Sequence, residues 1–164
     1  MLRAKGLQYV IESPPSAIRR GQSSDLASIA ELLRAAGLPT ADLASAPGLR
    51  AWVLEIDGEL SGTVALEGTE ARSRLLRSLV IVPAHQRRGF GHELVARVER
   101  DARAEGVERL VLLTQTAQAL FDRLGYEVIE RASAPEPLRQ SAEFRSLCPT
   151  SAVCMAKRLS RTRG

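Results

Sequence analysis

The stretch that most constrains the fold is an apolar run that a proline stops before a glycine-containing loop and an amphipathic helix. Residues 75–82 are apolar except for Arg77 and Ser78, as expected of a central strand, and Pro83 cannot donate to a sheet ladder. Between residues 91 and 104 the apolar side chains recur at helical spacing on one face. This order predicts a central strand that leads directly into a helix.

The loop of residues 86–91, Gln-Arg-Arg-Gly-Phe-Gly, has the chemistry of an anion-binding turn. Gly89 and Gly91 allow backbone N–H groups to approach a ligand closely, and a helix N-terminus offers unpaired donors and a positive dipole end. Arg87 and Arg88 add positive charge. The glycines are also compatible with a tight turn that serves only the fold, so the loop alone leaves both interpretations open.

The rest of the chain has helical and strand-like segments in an α+β order. Asp57-Gly58, between two strand-like runs, is a strong hairpin signal. Helices are predicted at 25–36, 41–46, 91–104 and 116–124. Strands are predicted at 52–56, 60–66, 75–82, 109–114, 126–129 and 151–159. These elements predict one folded domain over 18–159, an N-terminal extension over 1–17 whose mobility the sequence leaves open, and a C-terminal tail over 160–164.

Composition limits the classes of protein to which the chain can belong. Its 164 residues, 45% hydrophobic and 26% charged, are typical of a single globular domain. The net charge is +4, but the basic residues are interleaved with glutamates, so we expect no nucleic-acid partner. We find neither an apolar run long enough to span a bilayer nor a signal peptide, which predicts no membrane partner and a cytoplasmic location.

The cysteines and histidines do not form a metal-binding pattern. Cys148 and Cys154 lie close in sequence without a second cysteine or histidine cluster, so we expect two reduced thiols. His85 and His92 have no neighbouring ligand types. The sequence therefore predicts no metal site.

Val82-Pro83, the 86–91 loop and the helix after it together resemble the signature of the GNAT acyltransferase superfamily. The resemblance covers nearly all of residues 18–159. It implies a GNAT acyltransferase fold, with a mixed central sheet flanked by helices, and an enzyme that uses acetyl-CoA as cosubstrate. It also implies that the backbone of Val80 and Val82 pairs with the pantetheine arm and that residues 87–92 hold the pyrophosphate. The implied cofactor-binding residues are Val80, Ile81, Val82, Arg87, Arg88, Gly89, Phe90, Gly91, His92 and Thr114.

Within the superfamily, the C-terminal part of the chain resembles the bacterial arsenic-resistance N-acetyltransferases. The segments that carry this likeness are Ser-Ala-Glu-Phe at 141–144 and Cys-Pro-Thr-Ser-Ala at 148–152. The likeness implies an N-acetyltransferase acting on a small-molecule amine, amino-acid-like, with an arsenical resistance substrate as one candidate. A homodimer and a protein N-terminus as acceptor remain open alternatives.

Two positions depart from the pattern of the superfamily. Phe121 stands where many relatives have a tyrosine that protonates the departing thiolate of CoA, and Thr114 stands at the usual asparagine position. Solvent can replace the tyrosine as proton donor, and a hydroxyl contact can replace the amide contact. These departures keep a second function open, that of an acyl-CoA-binding regulatory or sensor module with little turnover.

Glu67, Arg77 and Ser78 are the candidate residues on the acceptor side. We expect Glu67 to be the catalytic base, because it ends an apolar strand beside the expected acyl site; an exposed strand-end glutamate is the alternative. Arg77 interrupts an apolar strand, and its fork suits either a substrate carboxylate or a salt bridge with Glu67 or Glu143. Ser78 either assists Arg77 or is a satisfied buried hydroxyl. Cys148 is expected to pack, with contact to an arsenical as the alternative.

Overall fold

The computed structural model describes residues 15–160, which fold around one seven-stranded sheet. The strands are β1 (Ser16–Arg20), β2 (Arg50–Ile56), β3 (Glu59–Glu67), β4 (Ser73–Ile81), β5 (Arg109–Thr114), β6 (Glu127–Ile129) and β7 (Val153–Arg158). They lie in the order β1-β2-β3-β4-β5-β7-β6. Strands β4 and β5 pair in parallel and the other neighbours pair antiparallel, so the predicted mixed sheet is confirmed.

Helices in the described part of the chain cover both faces of the sheet. They are α1 (Leu26–Ala35), α2 (Phe90–Ala104), α3 (Gln118–Arg123) and α4 (Glu136–Arg139), with a π-helical turn at Glu143–Leu147. Side chains of α2 and α3 share a buried cluster with Trp52, whereas α1 packs with Val53. Because adjacent strand residues point to opposite faces, α2 and α3 cover one face and α1 the other. None of the helices in residues 15–160 has the length and apolar character that a bilayer span requires.

The hairpin between β2 and β3 forms at the predicted turn. Asp57 has a φ of 54° and Gly58 a φ of 78°, so both lie in the left-handed region. A two-residue turn with positive φ at both positions matches the right-handed twist of the strands that it joins. This turn fixes β3 beside β2, and β3 in turn positions β4.

Two predicted segments differ from the structure. Strand β1 begins at Ser16, two residues before the predicted domain boundary, and pairs with β2; residues 1–14 and 161–164 lie outside the described part of the chain. The helix predicted over 41–46 is a run of turns, in which Ala46 N donates to Asp42 O at 2.8 Å. Pro47 and Gly48 follow at once, and Gly48 has a φ of 61°, so the chain cannot continue as a helix.

Candidate functional site

The central strands β4 and β5 separate shortly after they begin. Their parallel pairing is confined to residues 73–75 of β4 and 109–111 of β5. Beyond these residues β4 continues to pair with β3 up to Ile81, and β5 continues to pair with β7 up to Thr114. The sheet therefore opens between β4 and β5, with a strand edge on each side of the gap.

A β-bulge bends β4 where this gap opens. Between the pairs Ala65–Arg77 and Thr63–Val80, β4 has one residue more than β3. The extra residue is accommodated at Ser78, whose φ of 61° lies in a region that residues other than glycine seldom occupy. The bulge changes the direction of β4 for the rest of its length.

The backbone of Ile81, rather than that of Val80 or Val82, faces the gap. Val82 N donates to Ser61 O, on the β3 side, at 2.9 Å. Because backbone groups of successive strand residues point to alternate edges, Val80 also faces β3 and Ile81 faces away from it. Gln86 Nε2 donates to Ile81 O at 2.9 Å. The backbone groups of Val80 and Val82 are thus directed toward β3, and Ile81 is the residue of the three that faces the gap. The pairing of Val80 and Val82 with a pantetheine arm stays a prediction.

The loop between β4 and α2 holds an open space beside backbone donors. Arg87 and Gly89 have φ values of 64° and 84°. A Cβ atom at Gly89 would have no other heavy atom of the protein within 4 Å, apart from its chain neighbours. An α-helix leaves the N–H groups of its first residues unpaired, and in α2 residues 90–92 precede the bond from Glu93 N to Gly89 O. With Arg87 and Arg88 exposed beside it, this loop fits an anionic group.

Both residues that depart from the superfamily pattern have structural partners. Thr114 Oγ1 accepts a hydrogen bond from Ala117 N at 2.9 Å and so holds the turn between β5 and α3. Phe121 is only 4% exposed and packs edge-on against Tyr126, with ring centroids 5.2 Å apart. Phe121 is therefore a core residue that has no proton to donate.

Glu67 is buried beside the point where the sheet opens. It is 3% exposed, so it is not the exposed strand-end glutamate that the sequence left as an alternative. Its register partner is Leu75, which is also the last residue of β4 that pairs with β5. Glu67 Oε1 accepts a hydrogen bond from Arg77 Nη1 at 2.7 Å. The Glu67 carboxylate is thus fixed one strand away from the gap.

Arg77 is enclosed by protein carboxylates. Nη1 and Nη2 donate to the two oxygens of Asp42 at 2.6 and 2.8 Å, and Nε lies 3.1 Å from Glu143 Oε1. The Nε–H donates to Ser78 Oγ at 3.2 Å. The Arg77 side chain is 0% exposed. The ion pair with Glu67 and Glu143 is therefore formed, and the expectation that Arg77 binds an acceptor carboxylate is corrected, because the guanidinium has no exposed surface. Ser78 is half-buried, and its role on the acceptor side stays a prediction.

The enclosure shifts the proton affinities within this cluster, which we call the Arg77 cluster (Asp42, Glu67, Arg77, Glu143 and Cys148). Burial alone would raise the pKa of Asp42, but the hydrogen bonds and charge of Arg77 outweigh it, so the pKa is lowered. Burial also opposes the charge on Arg77, yet the carboxylates hold its pKa above the usual value. Burial raises the pKa of Glu143 to about 7 and that of the Cys148 thiol to about 11.

Sequence reasoning missed Asp42, and it left open whether Glu143 pairs with Arg77. Asp42 lies in the turns after α1, a segment predicted to be a short helix. Glu143 lies on the π-helical turn, which no periodic pattern indicates. The one available signal is a lone arginine in an apolar strand, since a buried guanidinium requires buried carboxylates somewhere in the chain.

Two surface cavities among the described residues lie away from these side chains. A cavity of about 590 Å³ lies between β1 and α2, lined in part by Arg97, Arg100 and Arg103. A second cavity, of about 330 Å³, lies over β5, β6 and β7. Neither contains a predicted site residue. The gap between β4 and β5 lies in the middle of the sheet, away from both cavities.

Residues 20–126 match the family model of the acetyltransferase (GNAT) family. An uncharacterized N-acetyltransferase of Chlorobaculum tepidum is 26% identical over 103 residues, which are 63% of this chain and 64% of that protein. An amino-acid acetyltransferase of Neisseria meningitidis is 32% identical over 95 residues, which are 57% of this chain and 21% of that protein. The matched segment is thus less than two thirds of the length of either relative.

Solved structures show the same fold. N-acetylglutamate synthase from Neisseria gonorrhoeae, complexed with coenzyme A and N-acetyl-glutamate, is 27% identical with a TM-score of 0.75, covering 92% of this chain and 36% of that one. Rv2747 from Mycobacterium tuberculosis, in complex with CoA, has the fold at 24% identity with a TM-score of 0.72, covering 88% and 99%. Since the family match runs from the end of β1 to the residue before β6, the chain belongs to the GNAT acetyltransferase family.

Proposed function

We propose that the protein is an acetyl-CoA-dependent N-acetyltransferase whose acceptor is a small, amino-acid-like amine. The observation that carries the proposal is the gap between β4 and β5, which leads directly to the N-terminus of α2. The pantetheine arm of acetyl-CoA needs a strand edge with which to pair, and its pyrophosphate needs backbone donors. The gap and the helix start supply these two features in succession.

The residues along this path fit acetyl-CoA. The backbone of Ile81 would pair with the pantetheine arm, and the N–H groups of residues 90–92 would bind the pyrophosphate beside Arg87 and Arg88. The empty space next to Gly89 supports this assignment, because a phosphate must approach the backbone closely. The Thr114 hydroxyl, whose oxygen is engaged by Ala117, keeps its hydrogen to donate to the cofactor.

Glu67 is the residue that we assign to proton transfer. Acetyl-CoA supplies, when bound, an acetyl group activated as a thioester. As the acceptor nitrogen bonds to that group it must lose a proton, and Glu67 would take it directly or through one water. Arg77 fixes the orientation of the carboxylate. Because Phe121 cannot donate a proton, solvent would protonate the departing thiolate.

The names of similar proteins support an amino-acid-like acceptor. N-acetylglutamate synthase bound to N-acetyl-glutamate is among the similar structures, and an amino-acid acetyltransferase is among the similar sequences. Arg77 is enclosed, so a carboxylate on the acceptor would have to be recognised by other residues. Within the amino-acid-like class, the resemblance of the C-terminal segments makes an arsenical amino-acid analogue our candidate for a resistance role.

The cofactor assignment is tested by calorimetry on Gly89→Val. A side chain at Gly89 would enter the space assigned to the pyrophosphate, so we expect a loss of acetyl-CoA affinity of at least about tenfold. Gly106→Val is the matched control: its φ of 87° imposes a similar backbone cost, a Cβ there also meets nothing within 4 Å, and it lies beyond the other end of α2. Equal affinities in the two variants would contradict the assignment.

Turnover is tested by following thiol release from acetyl-CoA with a panel of amines, including amino acids, an arsenical amino-acid analogue and a peptide with a free N-terminus. We expect release with at least one amino-acid-like amine. Glu67→Gln should then lower kcat/KM by at least about 10²-fold without a comparable loss of acetyl-CoA binding. Tight binding without release from any amine would instead support the regulatory or sensor module.

A further inference from the structure

The Arg77 cluster holds more negative charge than one guanidinium balances. Oxygen atoms of Asp42, Glu67 and Glu143 lie 2.6 to 3.1 Å from nitrogen atoms of Arg77. Each of these three residues is at most 8% exposed. If all three were ionised, two negative charges would lack a partner in a place with little water, which is costly. The cluster therefore favours one bound proton.

Glu143 is the carboxylate that the cluster stabilises least as an anion. Asp42 accepts two hydrogen bonds from Arg77, and Glu67 accepts one. The Nε–H group nearest to Glu143 donates to Ser78 Oγ, and the side-chain donor to Glu143 is the Cys148 thiol, which is a weak one. Burial, together with the negative charges of Asp42 and Glu67, raises the pKa of Glu143 to about 7, against the attraction of Arg77. Glu143 is thus the member of the cluster that binds a proton most readily.

We propose that Glu143 is a positioning residue for proton transfer, whose ionised form makes Glu67 a stronger proton acceptor across their shared guanidinium. The inference rests on the proposed function. When Glu143 is ionised, a proton that moves from the acceptor nitrogen to Glu67 relieves repulsion between like charges. When Glu143 holds a proton, that gain is absent. In the step itself the proton leaves the amine, binds Glu67 and later passes to solvent, while Glu143 neither gains nor loses one.

Four groups face Glu143, each from a different part of the fold. Arg77 comes from β4, Glu67 from β3, Asp42 from the turns after α1, and the Cys148 thiol from just beyond the π-helical turn. Arg77 alone among them is positive. Burial and the Glu143 charge keep Cys148 a neutral thiol, because its pKa is raised to about 11. The proposal gives the C-terminal segment a role in catalysis that packing alone would not.

The test compares kcat/KM across pH for the unaltered protein, Glu143→Gln and Glu99→Gln, with acetyl-CoA and the best amine of the panel. The neutral amide in Glu143→Gln imitates the protonated carboxyl group. The ratio of unaltered protein to Glu143→Gln should therefore be near one at about pH 6 and about tenfold at about pH 8.5. Glu99 is the matched control, a 6% exposed carboxylate on α2 that pairs with Lys157. Its ratio should not change with pH.

A Glu143→Gln ratio that is constant across pH would overturn the inference, whatever its size, because the proposed effect on Glu67 exists only while Glu143 is ionised. If Glu143→Gln does not fold, NMR of the carboxyl carbons in the unaltered protein decides the question. A Glu67 signal that shifts with the ionisation of Glu143 near neutral pH supports the inference, and a Glu143 carboxyl that is ionised throughout overturns it.

Glu67→Gln separates this inference from the proposed function. If that variant keeps full activity at every pH, the assignment of Glu67 as base is wrong and the inference falls with it. If Glu67→Gln loses activity while the Glu143→Gln ratio stays constant across pH, the proposed function stands and only the inference fails.

Discussion

Arg19 and Arg77 each bind more than one carboxylate, but one is at the surface and the other is in the interior. Arg19 contacts Asp25 and Glu55 at 2.8 Å, with 36% of its side chain exposed. Arg77 contacts three carboxylates with 0% exposed. Water can screen the excess charge around Arg19, whereas the Arg77 cluster must balance its charge internally.

One carboxyl group from each cluster illustrates the difference, because the pKa of Asp25 is lowered and that of Glu143 is raised. Hydrogen bonds from Arg19 and from the backbone of Gln22 lower the pKa of Asp25 to about 2, because the carboxylate loses little hydration at the surface. Burial raises the pKa of Glu143 to about 7 even though an arginine lies 3.1 Å away. An arginine neighbour therefore does not by itself ensure an ionised carboxylate. Within the Arg77 cluster, Asp42 accepts two hydrogen bonds from Arg77 and has a lowered pKa, whereas Glu143 has a raised one, so burial raises a pKa only where hydrogen bonds and charge do not outweigh it.

The largest expected difference follows from removing each guanidinium. Arg77→Met would leave three buried carboxylates without a cation. Removing one partner of a buried ion pair lowers the free energy of unfolding by about 3–5 kcal/mol. Arg19→Met is the surface counterpart. Urea unfolding monitored by circular dichroism measures both. Equal losses of unfolding free energy in the two variants would show that burial does not make the Arg77 contacts more important for stability than the Arg19 contacts.

Arg77→Lys sharpens the same comparison. The lysine keeps the charge but cannot reproduce the fork that donates to both oxygens of Asp42, so we expect a smaller loss of stability than with Arg77→Met. The KM for the acceptor should change little, because Arg77 has no exposed surface. An increased KM with unaltered stability would restore Arg77 as an acceptor-binding residue.

The next largest effect is a loss of stability as the pH rises, which we expect from the buried Glu143. Glu143 has a pKa of about 7 in the folded protein, above its ordinary 4.5. The folded state therefore retains a proton that the unfolded chain has released, and stability falls between about pH 4.5 and 7. A shift of this size corresponds to about 3 kcal/mol. Unfolding free energies measured at several pH values should show the decline.

Glu143→Gln should remove that decline, since glutamine does not titrate. The surface cluster has the opposite sign: the contribution of Asp25 is present above its ordinary pKa of 3.8 and is lost as pH falls toward 2. A decline that persists in Glu143→Gln would assign it to another group and contradict the comparison.

The smallest effect is expected at Arg19 itself. Its contacts are part-exposed, so Arg19→Met should cost no more than about 1 kcal/mol at low salt. Added salt should reduce that cost, because exposed charges are screened within about 10 Å at 0.1 M ionic strength. The cost of Arg77→Met should be nearly insensitive to salt. A salt-independent Arg19 effect would indicate packing rather than charge.

Local signals were enough to predict most of the fold. Asp57-Gly58 specifies its own turn, and the apolar spacing before and after Pro83 specifies a strand and a helix, so these elements were found without tertiary information. The helix predicted over 41–46 was wrong, because six residues of helical spacing are a weak indication of a helix when a proline follows at once. In each case the outcome depends on residues a few positions apart.

The candidate site was less predictable because it depends on contacts between distant residues. The lone Arg77 indicated that a partner exists, and Glu67 and Glu143 were among the candidates, but Asp42 is placed by the turns after α1. The backbone register of β4 depends on the bulge at Ser78. The sequence does not indicate this bulge, because the residue with positive φ is a serine rather than a glycine. Sequence reasoning therefore identified the strand that faces the gap, with Ile81 among its candidate residues, but could not tell which residue directs its backbone toward the gap.

The short parallel seam between β4 and β5 makes the molecule anisotropic under force. Backbone bonding across the middle of the sheet is limited to residues 72–75 and 108–111, whereas buried side chains such as Trp52 and Met155 belong to one continuous cluster that spans it. Thermal unfolding must disrupt that whole cluster. A force that pulls β4 and β5 apart, by contrast, acts first on their short stretch of parallel pairing. A ligand bound to both strand edges would bridge the gap and raise the force at which the two halves of the sheet separate.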